Sequence, residues 1–208
     1  MSDNIPVKPL KSLAEHIFSG APLYSTARLV ESQEGLPLIN IKEIVEGRIK
    51  TDSLPLYSCN EVKNAERYWV YPGDVLITCR GTQLKISVVP EILKKALITA
   101  NIIAIRLRPE ILPVFLATYL KTAEGQKALL SHVASSTMQL LLNISDIEEV
   151  LVPVPPLPVQ EKIVTLAEAA DEQYRLSIEV ANLRKKITNQ VVIDMLDPSF
   201  KGLVRSIL

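Results

Sequence analysis

The chain has 208 residues, with 23 basic and 23 acidic side chains and therefore no formal net charge. This length is enough for one or two domains with a buried core, and the balanced charge excludes a polybasic tail. An apolar fraction of 48% with 22% charged residues is typical of a globular protein. No apolar stretch approaches the ~18 residues of a membrane helix, and neither a signal-peptide pattern nor a cysteine-rich scaffold is present. We therefore expect a soluble, cytosolic protein.

Charge is uneven within the first 150 residues. Between Lys42 and Lys127, basic residues outnumber acidic ones by four. Such an excess can form a modest phosphate-facing surface, although an ordinary solvated face is the simpler explanation.

The first predicted elements are short and mixed in type. The pattern predicts a helical turn at Leu13–Phe18, which ends near a glycine, and a strand at Leu36–Ile41. Capping-box spacing at Ser58–Glu61 predicts a helix that continues to Ala65. Tyr68–Val70 is short, aromatic and typical of a strand.

The middle of the chain predicts a turn and several strands. A Pro-Gly pair inside Tyr71–Asp74 indicates a tight turn, with glycine at the second central position. A buried strand at Val75–Ile77 and a half-exposed, alternating strand at Leu84–Val88 follow, joined by the loop Thr78–Gln83. Ile98–Leu107 is predicted as one further strand.

Two helices and a last strand complete the first 150 residues or so. The helices are predicted at about Pro113–Lys121 and Glu124–Val133, with a polar loop at Ser135–Thr137 after them. Capping-box spacing at Ser145–Glu148 predicts another short helix, and Val150–Val152 is a strand candidate that a proline-rich segment ends. The fold class is therefore α+β: a globular mixed α/β domain, followed by the helix described next.

The last fifty residues change character. From Pro158, which is well placed at the start of a helix, to about Ile193 there is no further Pro or Gly. Within this run, residues at steps of three and four form a heptad seam with two glutamine interruptions. The seam residues are Leu166, Ala169, Gln173, Leu176, Val180, Leu183, Ile187 and Gln190.

A helix of some thirty-five residues is roughly 50 Å long, and the chain has no second helix of that length to cover its seam. We therefore expect a coiled coil with a helix of another chain, most simply a homodimer. The alternative is a helix folded back over its own globular domain.

Residues typical of catalytic and cofactor sites are missing. His16 and His132 have no metal-ligand spacing with Cys59 or Cys79, and no phosphate-binding glycine motif occurs. Asp197–Phe200 resembles the D-P-P-Y/F motif of adenine methyltransferases, but it has Ser in place of the second Pro and we interpret it as a helix stop. We expect no metal, no cofactor and no catalytic activity.

Several short motifs, taken in order, resemble one family. None is specific alone, but the ordered set resembles the specificity (S) subunit of type I restriction–modification systems. The motifs are Leu36–Ile41, Glu46–Ile49, Tyr71–Ile77, Arg80–Thr82, Ala100–Ile102, Gly125–Gln126 and Val152–Ile163.

The resemblance implies a non-catalytic DNA reader in which each target recognition domain binds half of a bipartite site. Its long helices act as spacers and dock methyltransferase subunits, which the restriction subunit joins. On this basis we assign residues 1–155 to a recognition domain, 156–195 to a helical spacer and dimerisation region, and 196–208 to a C-terminal tail.

A typical member has two recognition domains and two spacers, whereas this chain has one of each. A homodimer would restore two heads and predicts a palindromic bipartite target. A truncated chain, or one that pairs with a full-length subunit, would look the same in sequence.

Base readout needs hydrogen-bonding side chains on exposed loops, whereas phosphates are bound by Lys and Arg. Each candidate has the alternative of an ordinary solvated position, and Arg80 has the further alternative of an ion pair with Asp74. The candidates for base contacts are Arg80, Thr82, Gln83, Lys85, Ser135, Ser136, Thr137 and Gln139, and those for phosphate contacts are Lys63 and Arg67.

Two other functions compete with DNA recognition. Zero net charge is compatible with a coiled-coil adaptor whose head binds protein, since DNA-binding domains are often basic. A remnant methyltransferase is disfavoured by the missing cofactor motifs.

Overall fold

The computed structural model describes residues 5–22, 31–57, 64–131 and 140–196. The chain divides into two units, Met1–Val164 and Thr165–Leu208. We call the first unit the head, and the helical residues Thr165–Leu196 of the second unit the stalk.

The strands of the described residues are short, and none is longer than nine residues. They are β1 (Val7–Pro9), β2 (Ala14–Ser19), β3 (Glu31–Ile39), β4 (Ile44–Val45), β5 (Arg48–Ile49), β6 (Leu56–Tyr57), β7 (Trp69–Val70), β8 (Val75–Thr78), β9 (Arg80–Gly81), β10 (Ile86–Val88), β11 (Ala96–Ile98), β12 (Ile102–Leu107), β13 (Leu140–Leu141) and β14 (Leu151–Pro153).

The described residues also form α-helices and 3-10 turns. The α-helices are α1 (Leu10–Leu13), α2 (Pro113–Lys121), α3 (Ala123–Leu130), α4 (Ile144–Glu148) and α5 (Leu157–Leu196), and 3-10 turns lie at Ile41–Glu43 and Ala65–Tyr68. The described residues contain no helix that is both long and apolar enough to cross a membrane.

Two four-stranded sheets form the centre of the head. The first is antiparallel, in the order β10-β8-β12-β2, and the second has the order β6-β3-β11-β7, with β3 and β11 parallel. The head also contains the two-stranded ribbons β1-β14, β13-β9 and β4-β5.

The antiparallel sheet is covered on both faces, which explains its nearly continuous apolar strands. Val75 and Ile77 of β8 pack into the cluster that also contains residues of α2, α3 and α4. Leu76, on the opposite face, packs with Ile39 and Ile98 of the second sheet. The head is therefore a layered α+β domain, as predicted, and a long C-terminal helix follows it.

Two predictions near the first sheet are wrong. Leu13–Phe18 is not a helix: α1 ends at Leu13, and the chain continues as β2, whose backbone groups pair with β12. The single strand predicted at Ile98–Leu107 is two strands, because the chain turns at residues 99–101, where the Ile102 N–H donates to the Thr99 carbonyl.

Other predictions differ in detail. The strand at Leu84–Val88 was expected to be half exposed, but Ser87 is buried. The capping box of the short helix α4 lies two residues before the predicted one, at Asn143 and Asp146, where the Asp146 carboxylate accepts the N–H of Asn143 at 2.8 Å. The capping box at Ser58–Glu61 lies outside the described residues.

Several predictions are confirmed. Helix α2 has the predicted bounds, with proline in its first turn. In the Tyr71–Asp74 turn, Gly73 has φ +87°, a conformation that favours glycine. The C-terminal helix α5 is continuous over 40 residues.

Candidate nucleic-acid interface

The loop between β8 and β10 is held closed by one buried hydroxyl. Thr78 Oγ1 donates to the Gln83 carbonyl at 3.0 Å and accepts the N–H of Lys85 at 2.8 Å. Because Thr78 has no exposed surface, these bonds lie inside the head, and residues 79–84 project from a fixed base.

A short ribbon supports the same loop from the side. Strand β9 of the loop pairs with β13, with Gly81 opposite Leu140, and the Leu142 N–H donates to the Cys79 carbonyl at 2.9 Å. Gly81 has φ +129°, where a larger side chain would be strained. The ribbon thus places the backbone of Leu140, the residue after Gln139, beside the loop that carries Arg80.

Three predicted DNA-contacting residues are exposed on this loop: Arg80, Thr82 and Gln83. Within the described residues, the Arg80 guanidinium makes no hydrogen bond or ion pair. The alternative pairing with Asp74 does not occur, since Asp74 binds Arg106 instead. Arg80 is therefore free to meet a ligand.

Lys85 has a different environment from the rest of the loop. Its Nζ donates to the Ile41 carbonyl at 3.0 Å and to the Ile44 carbonyl at 2.7 Å. These bonds tie β10 to the segment between β3 and β4, which gives Lys85 a supporting role in the head.

Of the other predicted positions, Arg67 alone falls within the described residues. Lys63, Ser135, Ser136, Thr137 and Gln139 lie outside the described residues. Arg67 is exposed on the 3-10 turn before β7, beside the second sheet.

Three exposed basic residues on segments that adjoin the loop or strand β10 were not among the predicted site residues. Lys42 is exposed on the 3-10 turn that begins at Ile41, and a Cβ at Gly81 would lie 3.8 Å from Ile41 Cδ1. Arg48 is exposed on β5, and a Cβ at Gly47, the residue before it, would lie 2.6 Å from Lys121 Nζ. The excess of basic residues between Lys42 and Lys127 was the signal that pointed to them. Lys42 Nζ also lies 3.5 Å from Glu43 Oε1, which offsets part of its charge.

We call Lys42, Arg48, Arg80, Thr82, Gln83 and Lys121 the loop surface. This set combines hydrogen-bonding groups on a braced loop with exposed cations on adjoining segments, the two chemistries that DNA binding requires.

The turn before β8 is anchored by a buried carboxylate. The Arg106 Nε donates to Asp74 Oδ1 at 3.0 Å and an Arg106 terminal nitrogen donates to Oδ2 at 2.7 Å, while the Tyr71 N–H also donates to Oδ2 at 2.9 Å. The hydrogen bonds that Arg106 donates to Asp74 raise the pKa of Arg106, and this effect outweighs the lowering by burial. Asp74 therefore supports the fold and is not itself available to DNA.

Cys79 is a buried core residue. Burial raises the pKa of its thiol, and the opposing effect of neighbouring Arg80 is smaller. A raised pKa leaves little reactive thiolate near neutral pH, as expected for a packing residue. Within the described residues, no group of three or more His, Cys, Asp or Glu side chains is placed to hold a metal ion.

Gln160 fastens the first turns of α5 to the rest of the head. It is fully buried, its Oε1 accepts the Leu112 N–H at 2.8 Å, and its Nε2 donates to the carbonyls of Glu110 at 3.0 Å and Pro155 at 2.8 Å. The amide therefore uses both of its N–H groups and one of its two oxygen lone pairs. These bonds account for a glutamine at this position, directly after the proline-rich segment.

The predicted seam is exposed on the stalk. Leu176, Val180, Leu183 and Ile187 have between 45% and 63% of their surface exposed. This unpartnered row of aliphatic residues is the second candidate interface of the chain.

A comparison with models of protein families identifies the class of this protein. The family model described as the type I restriction modification DNA specificity domain matches residues 3–188. The chain therefore belongs to this family, and the resemblance of the ordered motifs is confirmed. The search of curated protein sequences found no significant match.

Solved structures show the same fold. A chain from a structure of a type I R-M system, described for its complex assembly and conformational transition, is 19% identical, with a TM-score of 0.72 over 97% of this chain and 48% of that chain. The HsdS subunit from Thermoanaerobacter tengcongensis is 19% identical, with a TM-score of 0.59 over 87% and 40%. The type I S subunit from M. genitalium is 16% identical, with a TM-score of 0.57 over 96% and 49%. This chain thus spans about half the length of the subunits it matches.

Proposed function

We propose that this chain is a non-catalytic specificity subunit that reads one half of a bipartite DNA site through its head. The observation that carries the proposal is the loop surface: Arg80, Thr82 and Gln83 are exposed on a loop that buried Thr78 and the β9-β13 ribbon brace. A braced loop presents its side chains with little loss of conformational entropy on binding. Membership of the specificity-domain family supports the same conclusion.

The parts of the loop surface have different roles in this proposal. Arg80, Thr82 and Gln83 contact base edges, together with Gln139 and the neighbouring Ser135, Ser136 and Thr137. Lys42, Arg48 and Lys121 contact phosphates, as do Lys63 and Arg67. Lys85 holds the loop in place through its carbonyl contacts.

We further propose that two copies assemble through the stalk seam. Residues 1–155 form the recognition domain and residues 156–195 the spacer in this arrangement. Two identical heads related by a two-fold axis would read a palindromic bipartite site. A methyltransferase subunit, with a restriction subunit where one is present, would supply the chemistry at that site in the cytoplasm.

The test is selection of bound sequences from random DNA, followed by anisotropy titrations of the full chain with and without the methyltransferase subunit. Arg80→Ala and Gln139→Ala should each weaken binding to the selected sequence by about 5- to 150-fold, from ~1–3 kcal/mol of base discrimination. Lys42→Ala and Lys63→Ala should weaken binding to all sequences and lower the salt slope by about one.

Lys185→Ala, on the exposed stalk, is the matched control and should leave DNA binding unchanged. Unchanged binding in all four head variants would refute the proposal. Selection of no sequence, combined with capture of a protein partner by the head, would favour the adaptor function instead.

A further inference from the structure

We infer that Leu141 is a further specificity-determining residue, whose side chain packs against the methyl group of a thymine next to a guanine that Arg80 binds. This inference rests on the proposed function of the head and adds an apolar contact to the loop surface. It begins with the β9-β13 ribbon, in which Leu141 lies directly opposite Arg80.

Arg80 and Leu141 form the closer of the two kinds of antiparallel pair. The next pair along the ribbon, Cys79 and Leu142, is hydrogen-bonded, because the Leu142 N–H donates to the Cys79 carbonyl at 2.9 Å. Since hydrogen-bonded and non-hydrogen-bonded pairs alternate, Arg80 and Leu141 form a non-hydrogen-bonded pair, whose Cα atoms are typically about 4.5 Å apart. Their side chains therefore lie side by side on one face of the ribbon.

That face of the ribbon is the outer one. Cys79 and Leu142 are buried, whereas Arg80 is exposed and Leu141 has 52% of its surface exposed. Successive residues of a strand point to opposite faces, so the alternation that turns Arg80 outward also turns Leu141 outward. Leu141 belongs to none of the apolar clusters formed by the described residues of the head. Its side chain is therefore available for a contact outside the fold.

The chemistry of the pair suits two features of the major groove. A single exposed leucine needs no explanation by itself, but this leucine lies beside an arginine that has no partner among the described residues. Guanine presents the N7 and O6 acceptors that arginine binds with two hydrogen bonds, and thymine presents a methyl group that apolar side chains contact. Because the Leu141 side chain has no hydrogen-bonding group, the methyl group is the feature of a base edge that it can bind favourably.

The separation of the two side chains fixes where the thymine lies. Successive bases are about 3.4 Å apart along each strand of DNA, which is close to the Cα separation of a non-hydrogen-bonded pair. Neighbouring side chains of the ribbon thus meet the same base pair or adjacent ones. Since a G·C pair contains no thymine, the methyl group must belong to the adjacent base pair, on either strand.

The test uses the site selected from random DNA, bound by the full chain together with the methyltransferase subunit. Selection with Arg80→Ala identifies the guanine that depends on Arg80, and deoxyuridine then replaces the neighbouring thymine, which removes only the methyl group. This replacement should weaken binding of the unsubstituted chain about 4-fold, since burial of one such group is worth about 0.8 kcal/mol and about 1.4 kcal/mol is tenfold. Leu141→Ala should bind the thymine and deoxyuridine sites equally.

Two control variants separate this contact from general effects of substitution. Leu151→Ala is the matched control, because Leu151 is 56% exposed but lies on β14, in another ribbon; it should keep the difference of about 4-fold. Leu141→Met keeps an apolar side chain of similar volume and should keep the difference as well. Equal binding of both sites by the unsubstituted chain would overturn the inference, as would a difference that persists in Leu141→Ala.

The remaining outcomes distinguish this inference from the proposed function. A selected site in which no thymine adjoins an Arg80-dependent guanine overturns the inference and leaves DNA recognition by the head intact. Failure to select any sequence overturns the proposed function, and the inference with it. If Leu141→Ala weakens binding of both sites equally, and only when the methyltransferase subunit is present, Leu141 contacts that subunit instead of DNA, which also overturns the inference.

Discussion

Replacement of Gln160 by Leu tests whether the start of α5 is fastened to the head by hydrogen bonds or by packing alone. Leucine has nearly the volume of glutamine but none of its polar atoms. The substitution would leave the Leu112 N–H and the carbonyls of Glu110 and Pro155 without the partners they have now. Because Gln160 is fully buried, water cannot replace the lost bonds without a structural change.

The expected cost follows from three buried groups at once. An unsatisfied buried group costs about 1–3 kcal/mol, and carbonyls tolerate the loss better than an N–H. Partial relaxation and the gain from burying an apolar side chain lower the sum, so we expect a loss of about 3–5 kcal/mol. Since whole domains are stable by about 5–15 kcal/mol, this is a large fraction of the total.

Urea unfolding measures the effect, with fluorescence of Trp69, the sole tryptophan, as a probe inside the head. The unfolding midpoint should fall without a change in slope, and the melting temperature should drop by roughly 6–20 °C for a chain of this size. Gln126→Leu is the matched control, because that exposed glutamine makes one long hydrogen bond of 3.3 Å, and it should change stability by less than about 0.5 kcal/mol. A loss below about 1 kcal/mol for Gln160→Leu would show that packing, not the amide, fastens the helix.

Two further predictions concern buried groups of the head. Asp74→Ala should cost about 2–4 kcal/mol in urea unfolding, because it removes the ion-pair partner of a partly buried Arg106 and the acceptor of the Tyr71 N–H. Lys8→Ala, which breaks an exposed ion pair, should cost at most about 1 kcal/mol, and equal losses would contradict this account. In the Cys59→Ser protein at pH 8, the raised pKa of Cys79 should keep a thiol reagent from reacting until urea unfolds the chain; rapid labelling of the native protein would show an accessible thiolate.

The predictions that held are those in which local sequence and tertiary packing agree. Helix α2 has proline in its first turn and no glycine or further proline, in agreement with its predicted bounds, and the Pro-Gly pair located the turn at Tyr71–Asp74. The helix predicted at Leu13–Phe18 failed because backbone pairing with β12 outweighed a local pattern of apolar residues.

Candidate site residues were harder to predict than elements. Their residue types identified Arg80, Thr82 and Gln83, which the structure places together on one exposed loop. Contacts between distant segments decided the rest: Lys85 reaches carbonyls more than forty residues away, and Asp74 pairs with Arg106 instead of Arg80. No pattern along the sequence carries that information.

The buried hydrogen bonds that Asp74 and Gln160 each make inside the head have a consequence for how this family of domains can vary. Both residues belong to motifs that resemble other members, yet both direct their polar atoms inward, to Arg106 and to backbone groups of the head. Because their polar atoms are engaged inside the head, these two side chains cannot distinguish one base pair from another. The loop that carries Arg80 depends for its position on the Thr78 hydroxyl and on backbone bonds, so its outward side chains are replaceable without disturbing those anchors. Under the proposed function, such a scaffold permits a new target to evolve by exchange of a few surface residues, without any change in the motifs that identify the family.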